Sequence, residues 1–381
     1  VEKMRALKRA AYLALLLGLL AGWGELPAIG NPIPVPTLIM PEEFIDARIF
    51  AEGRELWAIV EGVYPFSNIG FASARMYYPV PQDAEGIEVR LDGSALPWDY
   101  VTCGCEISPY YSTAVGDYRM IAWEIAPLPE RFEIKVRYKH PLPRLQAGER
   151  YAFLYALGTG RFLRYYAKET TAYIKVRLEL ELAALEAFVG TRPVDCQLDQ
   201  EAGETVLTLV QKSEPFRPLT EDLLIVFARL LSIPEAIDAD GDRRISDGEM
   251  LQAVRYWIDE TEVPGTGGQR INDLTLRKLA EFWVLGGRFV ITPYQARDRA
   301  IEYLLEKEPG LDLSLEAIWD ATRATPAGLL GYETIRYTSG DWQIEVGYPV
   351  VPYPDYAVSV SNSSTGFAWR GTVRAAGLII E

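Results

Sequence analysis

Two segments of this chain alternate apolar and charged residues with a period of two, and that pattern dictates strands. In Arg131–Tyr138 the apolar positions are Phe132, Ile134, Val136 and Tyr138, with a charged residue before each. Tyr173–Leu182 sets Ile174, Val176, Leu178, Leu180 and Leu182 between Lys175, Arg177, Glu179 and Glu181. A helix would scatter such residues around its surface, whereas a pleated strand sorts them onto two faces. A third segment, Glu204–Val210, is rich in β-branched residues, which suit a pleated surface. Leu91-Asp92-Gly93 and Gly158-Thr159-Gly160 supply turns. The expectation is a mainly β chain with a helical insert, opening with a β-sandwich over residues 44–217.

The pattern changes after Pro218. Thr220 reads as the cap of a helix running to about Leu231. Further helices are expected at about 247–259, 273–285 and 293–307, the last with Thr292 as cap and Pro293 at its first position. A weaker one is expected over 314–323. Residues 218–330 then form a helical module. From Tyr332 the alternation returns in Asp341–Tyr348, Tyr356–Ser361 and Phe367–Arg374, giving a C-terminal β unit over 331–381. So small a unit is marginal alone, so it is expected to dock on the helical module or the first domain. The apolar end, Ala375–Glu381, completes the local sheet or adds to a neighbour's sheet edge.

The N-terminus reads as an address. Lys3, Arg5, Lys8 and Arg9 precede an apolar run from Ala10 to Ala21, and small residues follow at Gly22, Gly24, Ala28 and Gly30. That order predicts a secretory signal over 1–30, with an uncleaved anchor as the alternative. Four prolines between Pro32 and Pro41 predict an extended linker over 31–43. The formal charge is −15. A polyanion of this kind is not built for nucleic acid, and no membrane contact is expected after signal cleavage. In an exported chain Cys196 is expected to pair with Cys103 or Cys105, with a three-thiolate metal site as the competing reading.

One twelve-residue stretch carries specific chemistry. Asp238, Asp240 and Asp242 occupy its positions 1, 3 and 5, so alternate carboxylates can converge on one ion. Arg244 offers a backbone carbonyl at position 7, Ser246 a hydroxyl at position 9 and Glu249 two oxygens at position 12. This resembles the EF-hand loop, which implies Ca2+, a hard cation taking six to eight oxygens. Arg243 stands at position 6, where such loops carry glycine. Ile245 suits the apolar contact that ties the loop to a neighbour.

The neighbour is visible as a repeat. Arg244-Ile-Ser-Asp247 and Tyr256-Trp257-Ile258 recur as Arg270-Ile-Asn-Asp273 and Phe282-Trp283-Val284, always 26 residues later. The second copy holds Pro264, Thr266 and Gly268 in place of the three aspartates, so one ion site is expected. Trp257 and Trp283 are expected to face each other in the core. Two tandem loop–helix units in an exported protein resemble dockerin modules, here over about residues 235–287. The resemblance implies a cohesin-like docking partner.

A single histidine, His140, leaves the histidine triads and multi-histidine metal sites without material. It reads as a surface turn residue. Carboxylate-only hydrolysis stays open, with no residue marked for it. The expectation is a non-enzymatic, secreted, calcium-binding structural or adhesive protein. Its alternatives are a docking component of a carbohydrate-active assembly and a glycan-binding module that uses Trp98, Trp123, Trp342 and Trp369 on a polysaccharide. Asn362-Ser-Ser364 is a formal glycosylation sequon.

Overall fold

The computed structural model describes residues 29–30, 32, 38–52, 55–101, 118–145, 150–157, 169–201, 204–213, 221–324, 332–349 and 353–381. Residues 1–28 of the signal expected over 1–30, Cys103, Cys105 and the turn expected at Gly158-Thr159-Gly160 therefore lie outside the described residues. The chain is mostly β, as the alternation requires.

In chain order the strands begin with β1 (Ile29–Gly30), β2 (Leu38–Ile39), β3 (Glu42–Glu52), β4 (Glu55–Asn68), β5 (Ala74–Pro81) and β6 (Glu85–Leu91). They continue with β7 (Ser94–Ala95), β8 (Asp99–Val101), β9 (Tyr118–Ile125), β10 (Arg131–Pro141), β11 (Arg144–Leu145) and β12 (Arg150–Ala156). Then come β13 (Thr171–Leu178), β14 (Leu182–Val189), β15 (Arg192–Pro193), β16 (Gln197–Glu201), β17 (Glu204–Lys212) and β18 (Leu223–Arg229). Four helices follow: α1 (Ile233–Ile237), α2 (Asp247–Ile258), α3 (Asp273–Leu285) and α4 (Pro293–Lys307). The chain closes with β19 (Asp320–Ala324), β20 (Tyr332–Ser339), β21 (Trp342–Pro349), β22 (Tyr356–Asn362), β23 (Ala368–Val373) and β24 (Ile379–Ile380).

A large sheet runs β16-β17-β13-β3-β4-β10-β6-β7, with β2 also on β4. A second runs β1-β12-β18-β14-β15, and a third β5-β9-β8. One apolar cluster draws on all three, from Ile45, Ala47 and Ile49 of β3 to Tyr78 of β5 and Ile225 and Phe227 of β18. The alternation of β10 puts Phe132, Ile134, Val136 and Tyr138 into that cluster. The chain joins the large sheet inside the proline-rich stretch, at Leu38–Ile39, so the linker expected over 31–43 is shorter than its prolines suggest.

Four expectations need correction. Thr220 lies outside the described residues, and residues 221–231, expected helical, are not a helix. Leu223–Arg229 is β18, with Leu223, Ile225, Phe227 and Arg229 buried, and it fills the slot between β12 and β14. Two flanking strands satisfy its backbone on both sides, which outweighs the helix cap signal. The helix expected over 314–323 does not form: its last four residues belong to Asp320–Ala324, which is β19 against β20. The strand expected over Tyr173–Leu182 ends at Leu178, Glu179 is buried against Arg48, and Leu182 already opens β14 in the second sheet. His140 is no surface residue: it is 1% exposed at the end of β10, its ring against Tyr138 and Phe153. Burial pushes its pKa down to about 4.

The C-terminal sheet is an antiparallel ladder, β19-β20-β21-β22-β23-β24, and α4 lies on one face. Ala300, Ile301 and Leu304 pack against Ile335, Tyr337, Ile344 and Val358, so the small sheet does not stand alone. Ile379–Ile380 pairs with β23, completing the local sheet. Asn362, the sequon residue, is buried and accepts hydrogen bonds from Ser364 N and Thr365 N, so its side chain closes a turn.

The two β units meet through buried charge. Arg48 of β3 pairs with Glu179 and donates to the carbonyls of Leu315 and Ala317, each at 3.0 Å. Arg297 of α4 reaches the same Glu179 at 3.5 Å and Asp298 at 2.6 Å. Arg177 of β13 bridges Asp46 at 2.8 Å and Asp320 at 2.6 Å. Glu204 completes the cluster, and burial together with Glu179 pushes its carboxyl up to about 8.

Candidate metal centre

The site grows from a helix end. Ser232 and Glu235 form a reciprocal capping box that starts α1. That helix is one turn long, and Asp238 caps its C-terminus through its N–H to Pro234 O. The Asp238 carboxylate then turns forward: Oδ1 accepts from Gly241 N at 2.9 Å and Oδ2 from Arg243 N at 3.0 Å. Asp240 Oδ1 accepts from Asp242 N at 3.2 Å, and Asp242 Oδ1 from Arg244 N at 2.7 Å. Each aspartate thus folds the loop onto itself.

The result is convergence. One carboxylate oxygen from each of Asp238, Asp240 and Asp242 lies within 4.8 Å of the others. Asp238 is buried and the other two are exposed. Burial pushes the Asp238 carboxyl up to about 6 against the pull of the two backbone N–H groups, and Glu249 adds to the rise. The cluster is short of positive charge, and a divalent cation would relieve it.

The remaining expected ligands are placed differently. Ser246 caps α2, and Glu249 is its capping-box partner, accepting from Ser246 N at 2.9 Å and Ser246 Oγ at 2.8 Å. The other Glu249 oxygen reaches back across the loop to the Ala239 N–H. Glu249 thus closes the loop without joining the three aspartates. Ser246 and Arg244 are exposed. Oxygen is the only donor type present, which fits a hard cation and not zinc or copper.

Arg243 takes a left-handed backbone, φ 61°, at the position where the EF-hand pattern wants glycine. For a residue with a Cβ that costs about 1–2 kcal/mol. Its side chain explains its presence: Nη2 donates to Ala51 O of β3 at 3.0 Å, and its own carbonyl accepts from Phe289 N at 2.8 Å. The residue ties the loop to the large sheet.

The second loop holds no comparable acid cluster. Thr266 is buried, its hydroxyl donating to Val263 O at 2.7 Å and accepting from Gln269 N at 3.1 Å. Hydrogen bonds close this turn where carboxylates fold the first. Ile245 and Ile271, 26 residues apart, are buried in one cluster with Leu279, Phe282 and Phe289. The two tryptophans are a correction. Trp257 is 38% exposed and Trp283 is 42% exposed, on the outer faces of α2 and α3. Leu251, Ile258, Leu274 and Val284 are exposed on the same two helices.

Of the other singled-out residues, Cys196 is half-buried against the first core. Trp123 is buried, whereas Trp98, Trp342 and Trp369 are half-buried. Among the described residues no helix is long and apolar enough to cross a membrane.

No family model matches the chain, and no curated protein matches it. Among solved structures, a nutrient-binding protein of Legionella pneumophila aligns at 12% identity over 73% of this chain and 89% of its own, with a TM-score of 0.38. An M1 zinc metallopeptidase of Deinococcus radiodurans aligns at 11% identity over 61% of this chain and 55% of its own, with a TM-score of 0.29. Leukotriene A4 hydrolase of Saccharomyces cerevisiae aligns at 13% identity over 60% of this chain and 37% of its own, with a TM-score of 0.30. Likeness at this level assigns no activity.

Proposed function

We propose that this chain is a secreted, calcium-binding structural or adhesive protein in which Ca2+ stiffens the helical module between two β units. The observation that carries this reading is the convergence of Asp238, Asp240 and Asp242 in a loop with donors of oxygen only. The loop's position gives the ion a mechanical role. Arg243 fixes it to β3, and Phe289 N fixes it to the segment leading into α4. An ion there would neutralise the carboxylates and lock the exit from α1 to the entry into α2. A ligand that binds only the folded chain raises stability with its concentration.

The test is a thermal melt of the full chain in EDTA and in a Ca2+ series. The unfolding midpoint should rise with Ca2+, by several degrees at saturation. Asp240→Asn with Asp242→Asn should abolish the rise. A midpoint indifferent to Ca2+ would sink the reading.

The exposed apolar residues of α2 and α3 favour a second reading, a dockerin-type docking module with a cohesin-like partner. Titration calorimetry against purified cohesin domains, with and without Ca2+, separates the two. Binding in Ca2+ that is lost in Leu251→Asp would favour docking.

A further inference from the structure

The outward sides of α2 and α3 carry charge among their apolar residues. Opposite Ala253, which α2 buries, a stripe runs Leu251, Arg255, Ile258 at steps of four and three. Opposite Leu279, which α3 buries, the stripe runs Leu274, Arg277, Glu281, Val284. These are the same helical positions 26 residues apart: Arg277 stands where Leu251 does, Glu281 where Arg255 does and Val284 where Ile258 does. Leu251, Ile258, Leu274 and Val284 are each more than half exposed. Ala253 and Leu279 share one core, so both stripes point away from it.

The carboxylates nearby are engaged. Asp247 accepts from Trp283 at 2.7 Å and Asp273 from Trp257 at 2.9 Å. Glu281, the one acid in the stripes, is paired with Lys278 at 3.0 Å. Asp259 and Glu260 lie past the last turn of α2. Arg255 and Arg277 are exposed, and among the described residues no carboxylate pairs with either.

This placement constrains what can cover the face. Arg255 lies between Leu251 and Ile258, and Arg277 between Leu274 and Val284. A surface that covers the apolar residues therefore also takes water from both guanidinium groups. A guanidinium dehydrated without an acceptor is a costly unpaired charge, whereas a carboxylate matches its fork of donors. A second copy would bring two more arginines, and the one carboxylate in its stripes is already paired. A polysaccharide would leave branched aliphatic side chains against hydroxyl groups. We propose that the α2–α3 face docks a partner protein whose surface sets Asp or Glu carboxylates among apolar side chains, one for each of Arg255 and Arg277. The inference rests on the docking reading of these helices and adds the chemistry of the partner.

Two helical peptides test it on the full chain in Ca2+. Both carry leucine along one face, and the other positions are glutamate in one and lysine in the other. In fluorescence anisotropy the glutamate peptide should bind about tenfold tighter than the lysine peptide, and salt should weaken it. Arg255→Glu with Arg277→Glu should invert that preference and leave the unfolding midpoint in place, since both side chains are exposed. Purified cohesin domains form the second arm. A cohesin whose affinity falls about tenfold in the double variant supports the proposal and the docking reading together. A cohesin that binds parent and variant equally overturns the proposal and leaves the docking reading standing. Binding of the glutamate peptide with no cohesin bound supports the proposal and sinks the cohesin partner. Equal affinity for the two peptides, no binding by any probe, or a dimer in light scattering that Leu251→Asp abolishes would each overturn the proposal.

Discussion

Trp283 donates its indole N–H to Asp247 at 2.7 Å, and 26 residues earlier Trp257 donates to Asp273 at 2.9 Å. The two bonds are the same bond made twice, each running from the end of one helix to the first turn of the other. They clasp α2 and α3 antiparallel on the outer side while Ile245, Ile271 and Phe282 hold the inner side. Each aspartate also sits in a first helical turn, where negative charge is favourable.

Loss of either clasp should therefore cost the same. Trp257→Phe and Trp283→Phe each remove one charge-assisted hydrogen bond, worth about 1–2 kcal/mol at a partly exposed site. Urea denaturation should lower the midpoint similarly for both, with the slope unchanged. Unequal losses would mean that the two halves of the repeat are not equivalent.

Arg243→Gly should separate affinity from rigidity. Glycine adopts φ 61° without penalty, so Ca2+ binding should hold or tighten. The bond to Ala51 O would vanish, and with it one tie between the loop and β3. Hydrogen exchange at the end of β3 and around Phe289 should speed up even in saturating Ca2+. Exchange equal to the parent would show that the guanidinium contact does not hold the joint.

Three helices were legible over about 247–259, 273–285 and 293–307, the last from its cap Thr292; the structure adds Ser246 and Asn272 as the other two caps, and each of the three accepts from a backbone N–H three residues on. The aspartate loop was legible because its spacing is local. Leu223–Arg229 was not, because its neighbours β12 and β14 come from distant sequence. Trp257 and Trp283 misled for a related reason. Large aromatics default to the core, and only the matching offset of Asp247 and Asp273 hints that each indole has a polar partner on the surface. Arg243 read as a flaw in the loop because its reward, the Ala51 carbonyl, lies 192 residues away.

Stability should fall as pH rises through the neutral range. Burial and the neighbouring Glu179 raise the Glu204 carboxyl to about 8, whereas an unfolded glutamate sits at 4.5. Between those values the folded chain keeps a proton that the unfolded chain releases. The contribution is present below 4.5 and is lost by about 8, with a limiting slope of about 1.4 kcal/mol per pH unit. Burial raises Asp46 to about 6 and adds to the early part of the fall. His140 runs oppositely: folded near 4 and unfolded at 6.5, it costs stability as pH drops through that window. Melts from pH 5 to 9 should show Glu204→Gln flattening the high-pH decline. A decline unchanged in that variant would place the titrating proton elsewhere.

Glu179 is the carboxylate on which two guanidinium groups from distant parts of the chain converge, Arg48 from β3 and Arg297 from α4, and both are almost wholly buried. Attraction to both keeps it ionised, pulling its pKa below the ordinary value although burial opposes this. Glu179→Ala would strand buried Arg48 and leave Arg297 with Asp298 alone, and removing one partner of such a network costs about 3–5 kcal/mol. Replacing all three, as Arg48→Met, Glu179→Leu and Arg297→Met, removes the charges together and should cost far less than the single change. Carbonyls of Leu315 and Ala317 would then lose the donors on Arg48, so some loss should remain. Denaturant melts of the single and triple variants decide it. A triple variant as unstable as Glu179→Ala would mean that the seam depends on these particular hydrogen bonds and not merely on balanced charge.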